Sequence, residues 1–300
     1  MVRERISFAA LALALGVLGL SAAGAGAAPA GEQLAFSRGA SPERYDIWTM
    51  RGGVGHRVTR SCGWDWWPEW SPDGAKIAFA RACGNSSFDI YTVRANGTGV
   101  RRLTGGASID QWPTWSPDGT TIAFVRGYAE KAEIYTVDAA GGGARRLTHN
   151  NLDDDTPAWS PDGRTIAFTR KVAGHNRLML MRADGTGQRS LRGIRGGEPA
   201  WSPDGARLAF ARAVAGAARE TASVYVANVA ANGARRVTTD RPGSVSHHPS
   251  WSADGRLIAF MSNRASLKAG ASLFVVRPNG TGLERLSRAR YEDADPAWLR

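Results

Sequence analysis

The chain has 300 residues and a net charge of +11, from 38 Lys+Arg against 27 Asp+Glu. A hydrophobic content of 43% excludes an intrinsically disordered chain, and two cysteines are too few for a scaffold built on disulfides. Nearly all of the basic residues are arginines, so the distribution of arginine decides whether this charge indicates a nucleic-acid partner.

The first 30 residues have the parts of an export signal. Two arginines near the start precede an uncharged apolar run, Ser7 to Leu20, and a small-residue stretch that contains Ala25-Gly26-Ala27. The run is shorter than the ~20 residues of a membrane span. We therefore expect a signal peptide over residues 1–27 and a mature protein over residues 28–300, either secreted or in the periplasm or cell envelope. A retained membrane anchor is the alternative.

One motif then recurs along the mature chain at intervals of 42 to 50 residues. Each copy is Trp-Ser-Pro-Asp-Gly with a proline two positions before the tryptophan; the fifth copy has alanine in place of the second proline, and the sixth stops after the tryptophan. The tryptophans are Trp70, Trp115, Trp159, Trp201, Trp251 and Trp298. A repeat of this period predicts one supersecondary unit per copy.

Each unit carries four short β-strand signals. In the first complete unit, a strand ends at Trp70, Ser-Pro-Asp-Gly makes a turn, and Ile77–Arg81, Ile90–Val93 and Arg101–Thr104 follow. The chain before Trp70 lacks one strand, which Asp293–Trp298 at the C-terminus can supply. We predict an all-β, six-bladed β-propeller with four antiparallel strands per blade, closed by the C-terminal strand joining the first blade.

The Asp-x-x-Pro-x-Trp-Ser-Pro-Asp-Gly pattern resembles the WD-like repeats of the TolB-type propeller family, and the resemblance covers the whole mature chain. It implies a six-bladed ring and a role in binding other envelope proteins. Related propellers cap the catalytic domain of prolyl peptidases. We expect this chain to lack the N-terminal α/β domain that precedes the propeller in TolB itself.

An aspartate lies five residues before the motif tryptophan in four units, and the hairpin register places an arginine opposite each. The pairs are Asp65–Arg81, Asp110–Arg126, Asp154–Arg170 and, across the ring closure, Asp293–Arg38. In the unit of Trp251, Ser246 opposes Ser262. We interpret the pairs either as interstrand ion pairs at the hairpin mouth or as a charged collar around the central channel that receives a ligand.

One arginine has lost its aspartate. Arg212 faces Gly196, with Glu198 as a possible substitute, and we hypothesise that Arg212 contacts an anion. The links between blades differ in every unit, so we expect binding on the face that carries them.

Other candidates lie near the predicted channel mouth. Four tryptophans lie outside the repeat template and indicate either a contact patch or ordinary packing: Trp64, Trp66, Trp67 and Trp112. Asp155 ends an acidic run that is either a calcium site or a solvated loop. His247 and His248 are adjacent, so their side chains point to opposite faces of a strand, which disfavours a shared metal ion. We predict no metal and no cofactor.

Cys62 and Cys83 lie within one residue of the hairpin register of their unit. An exported chain meets oxidising conditions, so we predict a disulfide between them.

The sequence lacks the Gly-x-Ser-x-Gly, His-Glu-x-x-His and phosphate-loop motifs, so catalysis is disfavoured. Many arginines recur at fixed blade positions, which indicates periodic architecture and no nucleic-acid partner. We predict an exported, non-catalytic module that binds an envelope or secreted protein, as a monomer without stable membrane insertion. The alternatives are binding of a small molecule, glycan or peptide in the channel, or a lyase or hydrolase that uses the channel-mouth residues.

Overall fold

A computed structural model describes residues 33–41, 43–84, 87–127, 131–216, 221–231, 233–265, 270–287 and 292–300. The predicted signal peptide lies outside these residues. All strands and turns of the described chain belong to an all-β protein. Its described segments contain no helix with the length and apolar character that crossing a bilayer requires.

Four separate antiparallel sheets of four strands follow one another in the described chain. Their strands are β8 (Asp110–Trp115), β9 (Thr121–Arg126), β10 (Glu133–Asp138) and β11 (Arg145–Arg146); β12 (Asp154–Trp159), β13 (Thr165–Val172), β14 (His175–Arg182) and β15 (Arg189–Arg195); β16 (Gly197–Trp201), β17 (Arg207–Ala213), β18 (Ala222–Asn228) and β19 (Ala234–Arg236); and β20 (Ser246–Trp251), β21 (Ile258–Ser262), β22 (Ser272–Val276) and β23 (Glu284–Arg285).

The remaining strands form one mixed sheet of eight strands, in the order β24-β1-β2-β4-β5-β6-β7 with β3 paired to β2. They are β1 (Gln33–Ser41), β2 (Arg44–Arg51), β3 (Val54–Arg57), β4 (Gly63–Trp70), β5 (Lys76–Cys83), β6 (Asp89–Arg94), β7 (Arg101–Arg102) and β24 (Asp293–Trp298). The C-terminal strand β24 pairs antiparallel with β1, with Arg38 opposite Asp293. The predicted closure of the β-propeller by its C-terminal strand is confirmed.

The motif tryptophans hold neighbouring sheets together, as the repeat predicts. The indole nitrogen of Trp115 donates to the carbonyl of Glu69 in the preceding inner strand at 3.2 Å. Trp201 and Trp251 make the equivalent bond to the preceding sheet at 3.1 Å. Because the side chains of these three tryptophans are also buried, each of them contributes both apolar area and a directional contact to the packing between sheets.

The Ser-Pro-Asp-Gly turns pack into a ring of their own. In each, the aspartate side chain accepts from the serine hydroxyl, as Asp73 does from Ser71 at 2.6 Å. The turn glycine has a positive φ, +71° at Gly119, which favours glycine there, and it lies beside Pro72 of the preceding turn. Successive turns therefore lie side by side around the propeller axis.

The recurring arginines of the outer strands are engaged within the fold. Arg102 forms an ion pair with Asp89 on the neighbouring strand at 2.7 Å, and Arg57 does the same with Asp46 at 2.8 Å. Arg145 donates to the carbonyl of Asp184 in the next sheet at 3.2 Å. Much of the basic excess is thus used for contacts within and between sheets.

Candidate functional site

Each inner strand carries a β-bulge immediately before the motif proline. In β4 the register against β5 shifts between Trp66 and Glu69, and the bulged residue Trp67 has a φ of 55°. A residue before proline is kept out of the right-handed helical region, and a left-handed conformation costs a non-glycine residue about 1–3 kcal/mol. The same position is left-handed in every copy, and we call these six residues the axial ring: Trp67, Trp112, Thr156, Glu198, His248 and Asp295.

The axial ring lines a cavity of about 340 Å³ to which all copies of the motif contribute. Beyond the ring, the cavity wall consists of the motif prolines and tryptophans, and it continues to the first residues of the Ser-Pro-Asp-Gly turns, such as Pro72 and Pro117. The cavity therefore extends from the middle of the inner strands towards the face that carries the turns. The links between blades, where the sequence predicts binding, belong to the opposite face, and binding there stays a prediction.

Two members of the axial ring meet across the propeller axis. The indole of Trp112 and the imidazole of His248 have ring centroids 4.8 Å apart at an interplanar angle of 73°. Two copies of the motif lie between them along the chain, those of Trp159 and Trp201, so their contact spans the ring. Trp67 packs against Trp112 with a centroid distance of 4.4 Å. These side chains fill the axis and give the cavity a closed floor.

The other side of the floor is charged. The Nδ1 of His247 lies 3.0 Å from a carboxylate oxygen of Glu198, and the backbone nitrogen of His248 donates to the same carboxylate at 2.8 Å. The imidazole of His248 forms ion pairs with Asp295 and, at 3.5 Å, with Glu198. His248 is therefore held between two carboxylates.

These contacts decide the charge of each group. Burial alone disfavours a charged imidazole, but Glu198 and Asp295 outweigh it and raise the pKa of His248 to about 10. Burial likewise disfavours the Glu198 carboxylate, yet the neighbouring His247 and His248 hold its pKa well below the ordinary value. At neutral pH the floor thus presents an imidazolium beside ionised Glu198.

Next to the ring lie two further residues that the sequence singles out. Asp155 accepts from the backbone nitrogen of Thr156 at 2.7 Å, and burial, with smaller contributions from nearby carboxylates, raises its pKa to about 6. Trp66 stacks on Tyr45 at 4.2 Å, and the Tyr45 hydroxyl donates to Glu292 at 2.7 Å. Trp66, Trp67 and Trp112 therefore belong to one aromatic cluster that reaches the axis.

The aspartate–arginine pairs take the predicted interstrand geometry. Each arginine approaches its aspartate with two nitrogens, and the shortest distances are 2.6 to 2.7 Å in Asp65–Arg81, Asp110–Arg126, Asp154–Arg170 and Asp293–Arg38. All four aspartates are fully buried. They lie outside the lining of the cavity, behind the axial ring. A role of this collar in binding a ligand stays a prediction.

Two units depart from this pattern. Ser246 opposes Ser262, as the register predicts. The ion pair of this unit is formed instead by Asp240, from the preceding link, and Arg264 at 2.6 Å. The guanidinium of Arg212 lies 5.4 Å from the ring centroid of Tyr225. Glu198, which the sequence offers as a partner of Arg212, binds the two histidines of the axial site.

The acidic run before β12 is engaged in contacts within the chain. The Asn150 side chain donates to Asp154 at 2.7 Å, and its backbone nitrogen donates to Glu133 at 2.8 Å. Across the described ranges, no group of three or more His, Cys, Asp or Glu side chains is placed to hold a metal ion.

The predicted disulfide is confirmed. Cys62 and Cys83 are bonded, with their α-carbons 5.1 Å apart, at the end of the β4–β5 hairpin. A structural disulfide indicates an oxidising compartment.

Sequence reasoning singles out Trp67, Trp112, Glu198 and His248 but does not recognise the ring that they share. Thr156 and Asp295 escape it altogether. The sequence does carry a signal for the axial ring. Each of its members directly precedes a proline inside a predicted strand, and a β-bulge is the ordinary way for a strand to accommodate a proline.

Comparisons with known proteins place this architecture. The TolB beta propeller domain family matches residues 28–193. TolB from Acinetobacter baumannii is 20% identical with a TM-score of 0.77; the match covers 89% of this chain and 66% of that one, just under two thirds of its length. A putative TolB from Agrobacterium tumefaciens is 22% identical with a TM-score of 0.67, covering 85% and 88% of the two chains.

A third similar structure is an oligogalacturonate lyase in complex with manganese, which is 16% identical with a TM-score of 0.60 over 85% of this chain and 74% of that one. The search of curated proteins gives no match. Identities this low show the fold alone, whereas the family match spans more than half of the sequence. The chain therefore belongs to the TolB β-propeller domain family.

Proposed function

We propose that this chain is an exported, non-catalytic propeller of six blades that binds a partner protein by accepting one of its segments in the axial cavity. The eight-stranded sheet supplies two of the blades, because its halves β24-β1-β2-β3 and β4-β5-β6-β7 are joined by a single parallel pair, Tyr45–Trp64. The disulfide and the N-terminal signal support export.

One observation carries the proposal: the axial ring varies where the framework repeats. Proline, tryptophan and turn glycine recur from copy to copy, while the ring position between them holds Trp, Trp, Thr, Glu, His and Asp. All six side chains converge on one cavity, and all six have a strained backbone. Strain of this kind collects at functional sites, and recognition resides in variable residues on a constant scaffold.

The charge state of His248 favours a binding role for this residue over that of a general base. A general base works best with a pKa near the working pH. His248 has a pKa of about 10 and is held as an imidazolium between Glu198 and Asp295, so it has no free lone pair to accept a proton.

Site-specific photocrosslinking tests the proposal. A benzoylphenylalanine at position 253, an exposed residue in the cavity lining, is compared with one at position 54, where Val54 is 59% exposed on an outer hairpin. Incubated with native envelope or culture medium, position 253 should capture a discrete protein that position 54 does not.

A cavity-filling variant is the matched control. Ala158 lies in the cavity wall, so Ala158→Trp should abolish the crosslink at position 253, and a cooperative melting curve of the variant is required to show that it is folded despite the larger side chain. Equal capture at both positions, or capture that survives the filled cavity, would contradict the proposal.

A further inference from the structure

We infer that the axial cavity takes a long cationic side chain, a lysine or arginine of the bound segment, with its head group on the floor formed by Glu198, Asp295, Trp67 and Trp112. This inference rests on the proposed function and names the chemistry that the site selects.

The first argument is the sign of the charge on the floor. Among the ring side chains that line the cavity, Glu198 and Asp295 supply two carboxylates and His248 one imidazolium, while His247 faces Glu198 from outside the lining. The acidic groups of the floor therefore outnumber the basic one. The lining also includes Arg300 and Glu69, and burial raises the pKa of Glu69 to about 7, so its carboxyl only partly offsets the arginine at neutral pH. The chain as a whole is strongly basic at +11, so the floor is a local exception. A concave, low-dielectric site of one sign concentrates ligands of the opposite sign.

The second argument is the aromatic half of the ring. Trp67 and Trp112 lie side by side, with centroids 4.4 Å apart, and both line the cavity. The face of an indole attracts a cation, and a guanidinium or ammonium close to both indoles and carboxylates gains from each. Trp112 already contacts the His248 imidazolium, so this half of the floor accommodates a positive charge in the unbound protein.

The third argument is the shape and polarity of the walls. Between the rim and the floor, the cavity is lined by the motif prolines and tryptophans, including Pro113, Pro157 and Trp115. Lysine and arginine carry an apolar stem and a charged tip, which matches an apolar wall above an anionic floor. A volume of about 340 Å³ is at the low end of the roughly 300–1,000 Å³ of ligand pockets, and suits one side chain better than a folded element.

Anionic and purely apolar side chains are disfavoured by the groups of the floor. An anionic side chain would face two carboxylates at close range. A purely apolar side chain would remove water from Glu198 and Asp295, which share the imidazolium of His248, without supplying a second positive charge, and desolvation of incompletely paired charges is costly.

A fluorine NMR titration tests the inference directly. The mature protein is labelled with 5-fluorotryptophan, and the resonances of Trp67 and Trp112 are assigned with Trp67→Phe and Trp112→Phe variants. The probes are the N-acetyl methylamides of lysine, arginine, norleucine, ε-acetyl-lysine and glutamate. Lysine and arginine should move both resonances in a saturable manner, with a Kd about tenfold lower than that of norleucine or ε-acetyl-lysine.

Two charge variants complete the experiment. Glu198→Gln keeps the shape of the side chain and should reduce the lysine preference to near that of norleucine. Asp254→Asn, in an exposed turn on the same face, should leave it unchanged. Unmoved resonances of the motif tryptophans show that each variant is folded, and Asp295→Asn provides a second test if Glu198→Gln is not.

Equal Kd values for lysine and norleucine, tighter binding of glutamate, or no lysine-induced shift at any soluble concentration would overturn the inference. Capture at position 253 can still succeed in each of those cases, so the cationic ligand and the partner-binding function fail independently.

Discussion

The carboxylate of Asp240 lies 2.6 Å from the guanidinium of Arg264, in the repeat whose hairpin carries Ser246 and Ser262 in place of an aspartate and an arginine. Asp240 comes from the link before β20 and Arg264 from the loop after β21. The Ser246 hydroxyl donates to Asp240 at 2.9 Å, so the serine serves this pair. The charge pair is therefore retained at this point of the ring by residues from outside the hairpin strands.

We expect Asp240→Ala to lower the free energy of unfolding by about 3 kcal/mol, because it leaves the guanidinium of Arg264 without its partner in a largely buried site. Arg256→Ala is the control: this side chain is 86% exposed and 3.6 Å from Asp254, so its loss should cost less than about 1 kcal/mol. Urea denaturation of both variants measures the difference. Similar losses of unfolding free energy in the two variants would show that burial does not determine how much the Asp240–Arg264 pair stabilises the protein.

Replacing both Cys62 and Cys83 by serine should reduce stability by about 3 kcal/mol, since the bond closes a loop with a sequence separation of 21 residues. The measurement is the urea midpoint with and without dithiothreitol. The reductant should lower the midpoint of the parent and leave that of the double variant unchanged. A reductant effect on the variant would point to a cause other than this disulfide.

Asp155 should make stability depend on pH between about 4 and 6. Its folded-state pKa is raised from 3.8 to about 6, chiefly by burial, so the folded chain binds the extra proton. Below this window Asp155 is neutral in the folded chain and does not lower stability. Above the window it is ionised in the folded chain, and its burial lowers the free energy of unfolding by the full amount. Asp155→Asn should therefore melt higher than the parent at pH 7 and with the parent at pH 4.

The control for that experiment is Glu43→Gln, at an exposed carboxylate far from the axis. Its melting temperature should follow that of the parent across the range. A gain for Asp155→Asn that persists at pH 4 would mean that the amide acts through hydrogen bonding and not through charge.

Ala173→Asn should stabilise the protein by about 1 kcal/mol, because alanine at a φ of 49° has a left-handed penalty that asparagine largely avoids. Ala173 and Gly174 form the two-residue turn between β13 and β14, both with positive φ, where Asn-Gly is the preferred sequence. Ala75→Asn, at an exposed turn residue with negative φ, should give no gain. Calorimetry of the three proteins is sufficient, and equal gains at both positions would exclude relief of backbone strain.

The hairpin contacts were accessible to sequence reasoning because they are local. Once the turn after Trp70 is located, counting outward places Asp65 opposite Arg81 and brings Cys62 near Cys83, and both pairs form. The bulge inserts one extra residue into β4 between the turn and Asp65, and this one-residue offset is why Asp65 lies opposite Arg81 and not opposite Ala82.

The axial site was not accessible in the same way, because its contacts join distant copies of the motif. Trp112 meets His248 across the axis, and the distance between them depends on how many blades surround it and how far each inner strand bends at its bulge. The substitution of Asp240 and Arg264 for a motif pair has the same origin: loop residues reach a site that no strand register describes.

The residues of the axial ring line the cavity, whereas other positions of each copy hold the framework together. The hydrogen bonds of each hairpin, the interblade tryptophan and the turn are supplied by other positions, so a ring residue can be exchanged with little effect on the framework around it. The six residues that directly precede Pro-x-Trp therefore define the specificity set of the propeller, here Trp, Trp, Thr, Glu, His and Asp. In chains built on this motif, these six positions are the ones to compare when asking whether two propellers bind the same ligand. They are also the positions to randomise in a search for variants that bind a new ligand.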